Sequence, residues 1–177
     1  MLAEAGFSFE TITLDIDESY PKEILPKDVA KYLAEKKNLA YREKLNDEIV
    51  ITADTTVIFG NEILEKPEDP TDARMMLESL SGQIHSVITG VCISSSKKVV
   101  TFDDETIVQF RNLSQQEITH YIEKFKPFDK AGAYGIQEWI GLVGIERIEG
   151  SYFNVMGLPT LKVYKVLTKD FKLELEQ

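Results

Sequence analysis

Asp54 stands at the end of an apolar β-branched run, Ile49-Val50-Ile51, and is followed by Thr55 and Thr56. Open α/β sheets collect ligands at the carboxyl ends of their strands, so a carboxylate there can serve as a general base or hold a divalent cation. The two threonines can orient it by hydrogen bonds. The competing reading is a turn-forming aspartate that caps its own backbone. Lys66, before Pro67, follows Gly60-Asn61-Glu62-Ile63-Leu64 and can return toward the same strand end as a phosphate clamp. Lys37, on a helix, can reach over the same cleft. Against both stands the rule that most lysines are solvated surface charges.

Two further segments carry polar groups that fit a small anionic ligand. Asp17-Glu18-Ser19 can supply metal-binding oxygens, or it is a solvated acidic turn. Asp129-Lys130-Ala131-Gly132-Ala133-Tyr134-Gly135-Ile136-Gln137 has small residues that admit a ligand close to the backbone, and the amide of Gln137 can read a base edge. This loop is neither the Walker pattern nor the dinucleotide fingerprint. His85 and His120 lack cysteine partners and do not suggest zinc. Cys92 reads as a small core residue, and no Gly-x-Ser-x-Gly elbow supports a serine triad. Trp139 and the Tyr152-Phe153 pair read as core or dimer contacts, which leaves a homodimer open.

The elements that must position these groups are legible in outline. Phe7 to Ile16 alternates well enough for a strand, and Pro26 with Asp28 opens a helix running to about Tyr41. Ile49 to Phe59 reads as a buried strand, and Asp69-Pro70-Thr71 starts a helix that Ser81-Gly82 stops. Strands are expected at His85–Ser94, Lys97–Asp103 and Glu105–Phe110, with turn residues between them. Ser114-Gln115-Gln116-Glu117 fits a capping box, a last helix lies near Thr160 to Thr168, and the acidic tail, Glu174 to Gln177, is expected to fray. Helices interleaved with at least five strands indicate a single α/β domain over 1–177, with a mixed sheet.

Bulk properties narrow the partners. At 177 residues, one domain with a proper core is expected. The net charge of −10 opposes binding to a nucleic-acid backbone or an anionic membrane, so phosphate must be met by a few local lysines and a metal ion. The single cysteine and the unremarkable start, Met1-Leu2-Ala3-Glu4-Ala5-Gly6, lead to the expectation of a cytoplasmic protein.

Read in order, Ala53-Asp54-Thr55-Thr56-Val57, Lys66-Pro67, His85 to Val91, Asp129 to Gln137, and Gly150-Ser151-Tyr152-Phe153-Asn154-Val155-Met156-Gly157-Leu158-Pro159 resemble the Maf family. Leu33 to Lys37 looks like the family's lysine-bearing helix, and Asp17-Glu18-Ser19 falls at its acidic turn. The resemblance implies a fold akin to the inosine-triphosphate pyrophosphatases, an elongated α/β domain with two lobes around a cleft. It implies metal-dependent (Mg or Mn) hydrolysis of a small-molecule nucleotide, dTTP or UTP, between the α and β phosphates. By the family pattern Asp54 is the catalytic proton acceptor. Thr55 and Gln137 match the positions that mark the pyrimidine branch, and Glu18, Lys37, Lys66 and Asp129 are supporting metal or phosphate residues. The family's opening strand and Ser-x-Ser-Pro-Arg-Arg loop, roughly 20 residues, have no counterpart in these residues, and slower hydrolysis than by a form carrying the loop is expected. The alternative is a non-catalytic nucleotide-binding homologue with a role in cell-division control.

Overall fold

The computed structural model describes residues 1–42 and 48–174; the expected fraying over 175–177 lies outside them. Helix α1, Pro26–Arg42, begins with proline in its first turn and buries Val29, Ala30, Leu33, Ala34 and Asn38 along one stripe. Strand β1, Val50–Phe59, turns at Gly60-Asn61 into the short β2, Glu62–Leu64. Helix α2, Pro70–Leu80, is capped by Asp69, whose carboxylate accepts from the Thr71 and Asp72 amides. The long strands β3, Ile84–Ser94, and β4, Val99–Phe110, follow. Then come α3, Gln115–Phe125, opened by the Ser114/Glu117 capping box, and the short α4, Trp139–Gly144. Strand β5, Ile145–Glu149, helix α5, Tyr152–Val155, and helix α6, Thr160–Lys169, complete the order.

The strands form one sheet in the order β2-β1-β3-β4-β5. Every pairing among the described residues is antiparallel, where a mixed sheet was expected. The reason lies in the connections: β2 reverses the chain after β1, so α2 delivers β3 antiparallel to β1. The two strands expected between residues 97 and 110 are one. Asp104, which falls between the two expected strands, pairs with Thr89 in mid-strand, next to Asp103 paired with Gly90. Lys31 and Lys162 neutralise them at 3.1 and 2.6 Å. The segment from Phe7 to Ile16 is not a strand. It has no partner strand among the described residues, and the Tyr41 hydroxyl meets its backbone instead, accepting from the Leu14 amide at 2.9 Å and donating to the Ile12 carbonyl at 2.8 Å. No helix among the described residues is long and apolar enough to cross a membrane.

Helix α1 covers one face of the sheet, over β1 and β3. Thr52 donates to the Ala34 carbonyl at 2.7 Å and Asn38 to the Cys92 carbonyl at 3.1 Å, stapling helix to sheet. On the other face lie two separate apolar clusters. One gathers Val57, Val87 and Val108 under α2, α3 and the 133–136 loop. The other gathers Val91, Ile93, Phe7 and the Val163 and Leu167 side chains of α6. Between them runs the polar rung Thr55–Thr89, so the face is parted where a ligand can enter.

His85 sits in the first cluster, only 3% exposed, with Nε2 2.7 Å from the Tyr134 hydroxyl. Burial pushes its pKa from 6.5 down to about 4. The imidazole is therefore neutral in the fold but protonates near 6.5 once unfolded. The stability it contributes is complete above pH 6.5 and is lost as pH falls toward 4, by roughly 3 kcal/mol in total. His85→Gln keeps a partner for Tyr134 but cannot titrate. Its urea midpoint should fall less steeply over this window than that of the parent chain; equal slopes would assign the acid sensitivity elsewhere.

Candidate active site

Because β2 pairs with β1 only at Val57–Phe59, the preceding residues of β1 lie beyond the reach of β2. An open cleft of ≈ 290 Å³ curls around that stretch and is lined by Glu18, Lys37, Asp54, Thr55, Lys66, Asp129 and Gln137. Residues 119 positions apart (137 − 18) thus share one hollow. Asp54 pairs with Gly90, which puts its side chain on the α1 face, while Thr55 pairs with Thr89 and faces the gap between the two clusters. One strand end therefore supplies two walls of the cleft.

On the α1 face, the Lys37 ammonium lies 2.6 Å from Asp54 Oδ1 and 2.7 Å from Glu18 Oε1. Lys66 Nζ approaches Glu18 Oε2 at 3.8 Å and is 60% exposed, so it stays available to an anion. Burial pushes the Asp54 carboxyl above its ordinary value; Lys37 opposes this, Glu18 adds to it, and Lys66 opposes it weakly. Lys37 holds the Glu18 carboxyl low. Burial alone would lower the Lys37 pKa, but its bonds to Asp54 and Glu18 outweigh that and raise it. A fixed cation thus stands beside a carboxylate more basic than usual. Asp54 Oδ2 has no protein partner among the described residues and is free to take a proton from water.

On the opposite wall, Thr55 Oγ1 lies 2.8 Å from Thr89 Oγ1, and Thr89 donates to the Asn154 carbonyl at 2.8 Å. A hydroxyl has one proton to give, so Thr55 is the donor in the Thr55–Thr89 pair and turns only acceptor capacity toward the cleft. Asn154, fully buried, donates to the Val87 carbonyl and to Thr106 Oγ1, both at 3.0 Å, which fixes the Val155–Gly157 rim. Gln137 is exposed on the third wall, and its amide has no partner among the described residues.

Glu18, Asp54 and Asp129, the carboxylates expected at a metal, all line the cleft. No group of three His, Cys, Asp or Glu side chains suited to a metal occurs among the described residues. Lys37 already occupies the point where Glu18 and Asp54 converge, and Asp129 turns to Lys130 at 2.8 Å. Two carboxylates do fit a magnesium-like ion that takes its remaining ligands from phosphate oxygens and water. The sequence reading passed over Lys130, Thr89 and the Val155–Gly157 rim. All three lie inside the family-like segments, but no spacing rule gave them a part in the site. Trp139 packs against the first cluster and edge-on to His120, while Tyr152 and Phe153 are exposed.

The family model described as Maf-like protein matches residues 1–170. A Porphyromonas gingivalis protein named dTTP/UTP pyrophosphatase is 49% identical over 160 residues, which cover 89% of this chain and 80% of that one. A Phocaeicola vulgatus protein of the same name is 46% identical over 171 residues, 96% of this chain and 89% of its own. One from Cytophaga hutchinsonii, also so named, is 44% identical over 176 residues, 99% and 81% of the two chains.

Proposed function

The chain belongs to the Maf family, and on that premise we propose that it hydrolyses dTTP and UTP to the monophosphate and pyrophosphate. The observation that carries the reading is the cleft itself. A half-buried carboxylate whose pKa is raised, two lysines and an unpartnered amide face one space of nucleotide-compatible chemistry.

In the proposed reaction Asp54 Oδ2 takes a proton from a water as the water oxygen bonds to the α-phosphorus. The bond from the α-phosphorus to the bridging oxygen breaks, and pyrophosphate leaves with that oxygen. Lys66, and Lys37 once phosphate competes with its carboxylate partners, meet the charge that gathers on the leaving group. With Lys37 drawn to phosphate, Glu18 and Asp54 Oδ1 would hold a divalent ion, which would supply Lewis-acid neutralisation of the phosphate oxygens. Thr55 presents only acceptor capacity, and an ionised phosphate offers only acceptors. The Thr55 end of the cleft therefore suits a donor-bearing base or ribose, and the lysine end suits the phosphates.

The test is turnover of UTP, dTTP and GTP followed by phosphate release with and without added inorganic pyrophosphatase. Monophosphate product, with phosphate appearing only after that addition, supports the reading. Diphosphate product, or no turnover of any triphosphate, overturns it. Gln137→Glu should retain most of the saturated rate while raising KM for UTP about tenfold, because a carboxylate cannot donate to a base carbonyl. An unchanged KM and unchanged preference over GTP would remove Gln137 from base recognition.

A further inference from the structure

The segment carrying Gln137 has little regular structure of its own: a three-residue turn, Ala131–Ala133, is its only helical piece. Something must hold it if an exposed amide at its end is to meet a ligand in one fixed place. Lys130, near its start, places Nζ 3.2 Å from Glu138 Oε1 at its end. The other oxygen of Glu138 accepts from the hydroxyl of Tyr121, a fully buried residue of α3. That hydroxyl in turn accepts from the Gly135 amide at 3.0 Å, inside the loop. Both ends and the middle are thereby tied to one point on α3.

Two independent features match this arrangement. The Lys130 and Glu138 side chains are only 22% and 20% exposed, so the pair is shielded more than an ordinary surface ion pair. A Cβ on Gly135 would fall 3.0 Å from Lys130 Cε and 3.0 Å from Glu138 Cδ, so the residue at the centre leaves the pair room to close.

We propose that Lys130, Glu138 and Tyr121 form a clasp that holds the Asp129–Gln137 loop in one shape and thereby sets the position from which Gln137 reads the nucleobase. The proposal rests on the reading of the cleft as a pyrimidine-nucleotide site. Lys130, Glu138 and Tyr121 are positioning residues that act through Gln137, and neither Glu138 nor Tyr121 lines the cleft. A loosened loop leaves the amide to be ordered at the expense of binding free energy, which weakens binding and spares the chemistry at Asp54.

The experiment compares Glu138→Gln and Tyr121→Phe, alone and each combined with Gln137→Ala, by UTP and GTP kinetics and by amide hydrogen exchange without nucleotide. Glu138→Gln keeps size and breaks the ion pair; Tyr121→Phe keeps the ring and removes the hydroxyl. Each is expected to raise KM for UTP roughly fivefold to tenfold with kcat within twofold, to narrow the UTP-over-GTP preference, and to add little to Gln137→Ala. Exchange at residues 131–137 should speed up about tenfold, while β3 stays protected. Effects that add in full to Gln137→Ala, or a kcat loss equal to the kcat/KM loss, overturn the proposal. Should the parent chain turn over no triphosphate, the functional reading fails by itself, and unchanged loop exchange in both variants still overturns the clasp.

Discussion

Asp54→Asn is expected to fold as the parent chain does and to lose about 10²–10⁴-fold in turnover, the usual contribution of a general base. The amide keeps the shape and leaves Lys37 its partner Glu18 at 2.7 Å, but it offers no oxygen basic enough to accept the water proton. The pH profile supplies a second, independent measure. The base must be ionised to work, and burial raises the Asp54 pKa, so kcat/KM should fall on the acid side at a higher pH than an unperturbed aspartate would give. Lys37→Met removes the ammonium that opposes this rise. Its acid limb should therefore move to still higher pH, beyond any loss of phosphate binding. Near-normal turnover by folded Asp54→Asn would remove Asp54 from the chemistry; an acid limb unmoved by Lys37→Met would separate that limb from Asp54.

Gly90→Ala is expected to destabilise the fold by about 1–3 kcal/mol or more, the cost of forcing atoms into a filled core. A Cβ there would lie 2.3 Å from the Lys31 amide nitrogen and 2.4 Å from the Ala30 carbonyl carbon and oxygen. These are backbone atoms of α1, so no side-chain rotation relieves the clash and the helix itself must lift. For a chain of this size the melting midpoint should drop roughly 2–4 °C for each kcal/mol. Because Lys37 rides on the same helix, residual activity should also fall at temperatures where the variant is still folded. A midpoint within a degree of the parent would mean that α1 is free to shift off the sheet at no cost.

Local chemistry was readable wherever it depends on neighbours in sequence. The Ser114–Glu117 box and the Asp69 cap need only residues two or three apart, and both form as their spacing predicts. The helical stripe of α1 and the buried run of β1 likewise follow from periodicity. The expected strand over Phe7 to Ile16 shows the boundary of this kind of reading. Alternation marks a segment that can pair, but pairing needs a partner, and here Tyr41 satisfies its backbone instead. The break expected at Asp104 fails for the opposite reason: Asp103 and Asp104 are both held in mid-strand by lysines from α1 and α6.

The sequence by itself determined which residues are the candidates for the proposed chemistry, since the types and order of Asp54, Thr55, Lys66 and Gln137 are covalent facts. Tertiary structure alone decided how they act. The register of β1 on β3 sends Asp54 and Thr55 to opposite faces of one strand. The packing of α1 on Gly90 brings Lys37 within 2.6 Å of Asp54 and so tunes its basicity. The direction of the Thr55 hydroxyl is set from Asn154, 99 positions away (154 − 55), through Thr89. Desolvation and charge depend on distances through space, and no one-dimensional spacing encodes those until the chain has closed on itself.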